Sequence, residues 1–370
     1  MPEKGTKNMQ GYPSRSEAER LLETSVPMNP GPWGDHSRTV ARAAEAIAAA
    51  SGLDPEKAYI LGLLHDIGRR YGTHHITHIS DGCRFMLELG YPEVAKICIT
   101  HSYNLQDIDN DVAPEDKDSP ERIYTEQMLK SYTFDDYDRL IQLADSIGMA
   151  EGVAPIEVRM WDVKDRYGRY PDTKWQKNLE LKAYFEEKCG GRDLYEVIGE
   201  IPFGVRQATP ADLPEMLRIY EKARGFMAAQ GNARQWGAAY HNGTAWPPAS
   251  VLEQDIAVGK SFVCQHGSHI VGTFYMTEGP DPTYATIDGA WISDAPYSVV
   301  HRIAGDGSVP GIGTYCLNWA LKRTGHLRID THGDNQPMQH LLEKLGFTRC
   351  GIIFVEEDDD PRVAFEKVGL

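Results

Sequence analysis

The hydrophobic pattern of this 370-residue chain changes period near residue 200, and no other feature constrains its fold as much. Before that point apolar residues recur at helical spacing. Residues 35–50 carry Val40, Ala44 and Ile47 on one face and stop at Gly52. Asp54-Pro55-Glu56 reads as an N-cap, a first-turn proline and an early acid, opening a helix through Leu61 and Leu64 toward Gly68. Further helices are predicted over about 80–89, 92–101 and 135–149, with the acidic, proline-broken stretch 107–119 as a loop. After Gly190-Gly191 the texture becomes mixed. Strands are predicted at 203–206, 261–264, 269–275, 284–292, 299–304, 326–331, 351–355 and 363–367, and helices at 211–227, 313–321 and 336–345. Helices in series followed by an α+β pattern make two domains, because each kind of layer must bury its own apolar face. The expected division is an extension over 1–29, an all-α domain with a helical C-terminal extension over 30–200, and an α+β domain over 201–370.

Composition narrows the function. The formal charge is −16, with 35 acidic against 24 basic side chains over residues 1–200 and 19 against 14 beyond. Both halves are acidic and neither holds a dense basic stripe, which argues against a nucleic-acid partner. No apolar run approaches the ~20 residues that span a bilayer, and the polar start of the chain lacks the apolar stretch of a signal peptide. A cytoplasmic protein with no membrane partner is expected. The six cysteines form no C-x-x-C pair, so they read as free thiols in a reducing compartment.

Six of the thirteen histidines (His36, His65, His74, His75, His78 and His101) fall within residues 36–101. A lone histidine is usually structural; six in one helical segment beside the His65-Asp66 dyad suggest a metal site, since imidazole with carboxylate suits iron, manganese, nickel or zinc. The order His36, His65-Asp66, His78, His101, Asp145 resembles the HD-domain family, with the dyad in Leu64-His65-Asp66-Ile67-Gly68-Arg69 and the distal acid in Ala144-Asp145-Ser146. The resemblance spans about residues 30–150 and implies a helical bundle. His78, followed four residues later by Gly82, and His101 stand at the family's two intermediate ligand positions. That implies two divalent metals, held by His36, His65, Asp66, His78, His101 and Asp145, with Asp66 bridging. His74 and His75 would stand just outside that set. Two cations ~3.5–4 Å apart can clamp a phosphate and activate a water. Asp66 and Arg69 are the candidate catalytic residues, with Arg69 and Arg70 available to an anionic substrate or, equally, to a helix C-terminus. The same ligand pattern occurs in di-iron oxygenases of this superfamily, and spacing alone does not separate hydrolysis from oxidation.

In the second half, Val299-Val300-His301-Arg302-Ile303-Ala304 leads to Ser308-Val309-Pro310-Gly311-Ile312-Gly313-Thr314-Tyr315, and Ile329-Asp330-Thr331-His332-Gly333-Asp334-Asn335 leads to a helix ending in Leu345-Gly346-Phe347. A G-x-G turn entering a helix presents backbone N–H groups and the positive helix end to a pyrophosphate, and glycine permits its close approach. The order strand, Gly-rich turn, helix, strand, Asn, helix resembles the GNAT acyltransferases. That implies an α+β fold with a central mixed, mostly antiparallel sheet and acetyl-CoA as cofactor. Ile303, Ala304, Ser308, Gly311, Ile312, Gly313, Thr314 and Asn335 would lie at the cofactor, Ser308 standing where the family has Gln or Arg. The family's tyrosine acid is not found after Asn335, so Tyr315 and His332 are substitutes to test. Trp236, Asp288, Trp291 and His301 are candidates for the acceptor pocket, Asp288 as a catalytic group. Gly289 hints at a bulge. The run Glu356-Glu357-Asp358-Asp359-Asp360 reads as a solvated hairpin loop that could also attract a cationic acceptor.

The expectation is a bifunctional enzyme: a metal-dependent phosphohydrolase joined to an acetyl-CoA-dependent N-acyltransferase. Its partners would be a phosphorylated small molecule and a small-molecule amine, and a homodimer is left open. The rival readings are a di-iron oxygenase in the first half and a non-catalytic CoA sensor in the second.

Overall fold

A computed structural model describes the chain except residues 1–10, 73–74, 114–115, 234–235, 238–242, 244, 355–360 and 370. His74, the His75 side chain and the acidic run 356–360 therefore lie outside the described residues. The chain divides into two units, Met1–Pro202 and Phe203–Leu370.

The first unit is helical: α1 Arg15–Ser25, α2 Trp33–Ser51, α3 Pro55–Leu64, α4 His75–Leu89, α5 Pro92–Thr100, α6 Pro120–Ser131, α7 Asp136–Ile147, α8 Ile156–Tyr167, α9 Asp172–Lys188 and α10 Leu194–Ile198. A two-residue hairpin, β1 Gly148–Met149 with β2 Gly152–Val153, follows α7. Local chemistry sets the helix starts. The Asp54 side chain accepts the N–H groups of Glu56 and Lys57 with Pro55 in the first turn of α3. Asp135 and Asp138 form a reciprocal capping box on α7, the helix that carries Asp145. The buried face of α2 is rich in alanine (Ala41, Ala43, Ala44, Ala48), so α3 packs close and the rings of His36 and His65 come to 5.2 Å. Residues 15–25, expected as part of an extension, are a helix whose Ala18, Leu21 and Leu22 are buried in the same core as α2 and α3. The helix α6 lies outside the elements expected from periodicity, although Ser119-Pro120-Glu121 carries a start signal: Ser119 caps the N–H of Arg122.

The second unit holds β3 Phe203–Gln207, α11 Leu213–Ala229, α12 Ala249–Ala257, β4 Ser261–His266, β5 His269–Glu278, β6 Asp288–Gly289, β7 Ser298–Gly305, α13 Ile312–Thr324, β8 His326–His332, α14 Gln336–Lys344, β9 Thr348–Phe354 and β10 Pro361–Val368. It has an α+β fold, with an eight-stranded mixed sheet in the order β3-β4-β5-β7-β8-β10-β9-β6. Among the described residues only β7 and β8 run parallel. They pair at Ser298↔Leu327 and Val299↔Arg328 and there the ladder stops, so the sheet opens between them. The strand expected over 284–292 is a correction. Asp281 caps a 3-10 turn at Pro282–Tyr284, and only Asp288 and Gly289 pair, at the sheet edge. Ala285, Thr286 and Ile292 are exposed while Tyr284, Ile287 and Trp291 pack inward, so burial in this segment does not alternate as it would along a strand.

All six cysteines are free and five are buried. Among the described residues no helix is long and apolar enough to cross a membrane.

Candidate functional sites

Five elements of the first unit bring His36 (α2), His65 and Asp66 (after α3), His78 (α4), His101 (after α5) and Asp145 (α7) into one cluster. His36 Nε2 lies 3.0 Å from Asp145 Oδ1, His65 Nε2 3.7 Å from that same oxygen, and His78 Nε2 and His101 Nε2 lie 3.1 and 3.5 Å from Asp66 Oδ1. The donors fall into overlapping sets: His36 with His65 and Asp66, Asp66 with His78 and His101, and His65 with His101 and Asp145, the ligand atoms of each within 4.8 Å of one another. Asp66 belongs to two of them. Backbone carbonyls fix the ring orientations, Gly62 O at 2.7 Å from His65 Nδ1 and Ile97 O at 3.0 Å from His101 Nδ1. A proton held on Nδ1 by such a contact leaves Nε2 as a lone pair facing the cluster.

The electrostatics suit cations. His65 Nε2 and Asp66 Oδ1 are fully buried with no hydrogen-bond partner, which costs free energy unless something else satisfies them. Burial pushes His65 down to about 4 and His78 to about 3, so both rings are neutral near pH 7. Burial acts upward on the Asp66 carboxyl, but Arg69, His65 and His78 outweigh it and hold it well below the carboxylate range. For Asp145, too, burial is outweighed, chiefly by His36. Burial acts downward on His101, but Asp66 and Asp145 outweigh it and raise it, so the neutral rings of His65 and His78 beside ionised carboxylates are the part of the donor set ready for a divalent metal.

The cluster floors a cavity of about 500 Å³. Arg69 lines it and holds Asp66 through Nε. Arg70 does not line it; its guanidinium lies 4.2 Å from the centre of the Phe85 ring and donates to the Met28 sulfur. The same cavity is also lined by Arg159 of α8, Tyr170 between α8 and α9, and Lys174 and Asn178 of α9, and sequence reasoning missed them. No spacing signal marks those residues, because they reach the cavity only through the packing of helices distant in sequence.

In the second unit Gly311 has φ +88° and caps the start of α13, so a side chain there would be strained. Ile312 is buried, while Gly313 and Thr314 are half-buried in the first turn of α13. Ser308 gives its N–H (2.9 Å) and hydroxyl (2.6 Å) to Asp306. Asp306 in turn draws in Arg218 at 3.1 Å and Lys222 at 3.7 Å, two cations the sequence did not flag. Ile303 and Ala304 pack into different core clusters, and the Asn335 side chain caps α14 by accepting from Met338 N–H.

Two proposed catalytic groups lie elsewhere than expected. The Tyr315 hydroxyl donates to the Phe203 carbonyl at 3.0 Å, and its ring stacks on Phe203 of β3, at the far edge of the sheet from the opening. Burial raises it to about 12. Its proton is engaged in packing. Asp288 sits exposed on the opposite edge strand, β6. At the opening itself stand His301 of β7 and Asp330 of β8. His301 Nε2 is 2.9 Å from Asp281, its Nδ1 is 3.5 Å from Asp330, and the Tyr284 hydroxyl donates to Asp330 at 2.8 Å. Of the other acceptor-pocket candidates, Trp236 packs edge-on to Tyr220 in the core, and Trp291 donates to the Tyr284 carbonyl and covers Arg328. His332 is buried, with Nδ1 accepting from the Asp334 N–H.

Burial pushes the His301 imidazolium down, but Asp281 and Asp330 outweigh it and raise it from 6.5 to about 9. Such a contribution to stability is complete below 6.5 and is lost as pH rises through about 9. Asp281, lowered to about 2 first of all by its hydrogen bond to His301, loses its share only as pH falls from 3.8 through about 2. Between pH 6.5 and 9 the wild-type chain should therefore lose on the order of 3 kcal/mol that His301→Gln does not lose. Urea unfolding followed at several pH values checks this; parallel curves for the two proteins would refute it.

Residues 33–150 match the family model described as HD domain. Over its C-terminal part the chain is similar to solved acetyltransferases of the GNAT family. One from Streptococcus agalactiae is 26% identical with a TM-score of 0.41, over 45% of this chain and 96% of that one. One from Listeria monocytogenes is 18% identical with a TM-score of 0.35, over 45% and 94%. A ribosomal-protein-alanine N-acetyltransferase from Brucella melitensis is 17% identical with a TM-score of 0.32, over 44% and 98%. No curated protein matches the chain.

Proposed function

We propose that the protein is a bifunctional cytoplasmic enzyme. Its first unit would hydrolyse a phosphorylated small molecule with divalent metals, and its second would transfer an acetyl group from acetyl-CoA to a small-molecule amine. The observation that carries the first half is Asp66 shared between two donor sets on the floor of the cavity. His36, His65, Asp66, His78, His101 and Asp145 would hold two metals, which when bound would supply positive charge against a phosphoryl oxygen and acidify a water. The chain's own residues orient that chemistry. Gly62 and Ile97 carbonyls aim the His65 and His101 rings, and Arg69 keeps Asp66 ionised while presenting its remaining N–H groups to the cavity.

In the second unit the opening between β7 and β8 suits an extended arm laid along the main chain of Ile303 and Ala304. The N–H groups at the start of α13, after Gly311, suit a pyrophosphate. Arg218 and Lys222, gathered by Asp306, would supply the charge that Ser308 does not. His301 would hold a proton at the opening, braced between Asp281 and Asp330.

Metal analysis of the purified full-length protein should find about two metals per chain, and metal-dependent phosphate release from a panel of phosphomonoesters should follow. Iron with oxygen consumption instead would establish the oxygenase reading. Thiol release from acetyl-CoA across an amine panel tests the second half. Replacing both Arg218 and Lys222 by Ala should raise the KM for acetyl-CoA about tenfold, each lost charge-assisted contact to phosphate being worth roughly 1 kcal/mol or more. Tight CoA binding without any turnover would replace the transferase by a sensor.

A further inference from the structure

Part of the lining of the metal cluster's cavity comes from α8, α9 and the turn between them, which lie beyond the segment that matches the HD family. Lys174 of α9 is 8% exposed and lines that cavity. A buried ammonium has three N–H donors and is costly unless they are met. One goes to the Ser102 carbonyl. Among the described residues no carboxylate lies within 4.0 Å of it; the acids that face it are Asp111 and Asp145. Beside it, Tyr170 accepts from Asn178 Nδ2 at 2.7 Å, which leaves the phenol's own proton without an acceptor among the described residues. Arg159 spends Nη1 on Asp162, and its Nε is buried with no hydrogen-bond partner. Three donors with unspent hydrogens thus line the cavity that the cluster also lines.

A structural lysine would need only the Ser102 carbonyl and a nearby carboxylate. Three separate donors, two of them cationic, instead match the several oxygens of a tetrahedral oxyanion. We propose that Lys174, Tyr170 and Arg159 form a phosphoryl-binding subsite that works without metal, so that the cavity takes a small substrate with two phosphoryl groups, one held by these three side chains and the other presented to the metal cluster. The inference rests on the reading of this cavity as a substrate site, and it assigns to the helices after residue 150 the choice of substrate.

The test is calorimetric titration of inorganic phosphate into the full-length protein stripped of metal with a chelator, in wild type, Lys174→Gln and Tyr170→Phe. Wild type should bind phosphate, Lys174→Gln should bind it at least tenfold more weakly, and Tyr170→Phe, which removes one hydroxyl and no charge, several-fold more weakly. Metal content after reloading should be the same in all three, and this also shows that the cavity is intact in the variants. Phosphate binding unchanged in both variants, or absent from wild type, would overturn the subsite, as would acetate binding as tightly as phosphate. A wild-type protein that binds phosphate but never metal would leave the subsite standing and remove the hydrolase reading instead.

Discussion

Replacing Asp66 by alanine is expected to cost the cluster more metal than His78→Ala, because it breaks two of the three donor sets and leaves only His65 with His101 and Asp145, whereas His78→Ala breaks one. Asp66 is the one residue common to the set with His36 and His65 and the set with His78 and His101, and His78 belongs to only the second. Removing a ligand from a three-donor set leaves too few fixed groups to hold a divalent ion against water, while the other set survives only if it does not share that ligand. The change also strands Arg69, whose Nε is held by Asp66, and breaking a buried pair costs about 3–5 kcal/mol. Asp66→Asn, which keeps the shape and a hydrogen-bond acceptor, separates the two effects: it should fold and still bind far less metal. Elemental analysis per chain, with thermal melts as the folding control, decides the matter. Two metals retained in Asp66→Ala would refute the shared ligand.

The second large effect is expected at Gly68. A Cβ there would lie 1.9 Å from the His78 carbonyl and 2.5 Å from the Gly82 nitrogen, both backbone atoms of α4. Neither can move without shifting the helix that carries His78. Gly68→Ala should therefore destabilise the first unit by on the order of 3–5 kcal/mol and weaken metal binding along with it, because His78 is carried away from Asp66. Gly225, exposed within α11, is the matched control, since a Cβ there would meet nothing within 4 Å. Gly225→Ala should be neutral or gain up to about 1 kcal/mol. Comparing the two variants by urea unfolding and metal content tests the close approach; a Gly68→Ala protein as stable as wild type would refute it. The contact also explains in physical terms why glycine stands at both 68 and 82: the turn after the His65-Asp66 dyad rests on α4 backbone to backbone.

Much of the helical unit was legible because its signals are local. Asp54-Pro55 and Asp135 start helices through their own side chains, and the six ligands stand at helix ends or on helix faces where short-range periodicity can be read. Less was legible where an element is held only by distant partners. Helices α8 and α9 were expected merely as an extension, and their cavity-facing residues carry no local signal: Lys174 reaches Ser102, and Asn178 reaches Asn104, across more than seventy residues. In the second unit the Gly-rich turn is visible as a turn, but the Arg218 and Lys222 that flank it come from α11 and appear only through Asp306.

What the amino-acid sequence determined by itself was therefore the division into a helical part and a mixed part, the starts of α3 and α7, and the identity of the residues able to bind metal, since capping, periodicity and side-chain chemistry act over a few residues at a time. Tertiary structure alone decided which acids share the histidines, that Asp66 serves two donor sets, that Tyr315 spends its proton on β3, and that His301 meets Asp281 and Asp330 at the opening of the sheet. Those outcomes depend on how strands and helices far apart in the chain are set against one another, and burial then fixes the charge state of whatever groups that packing brings together.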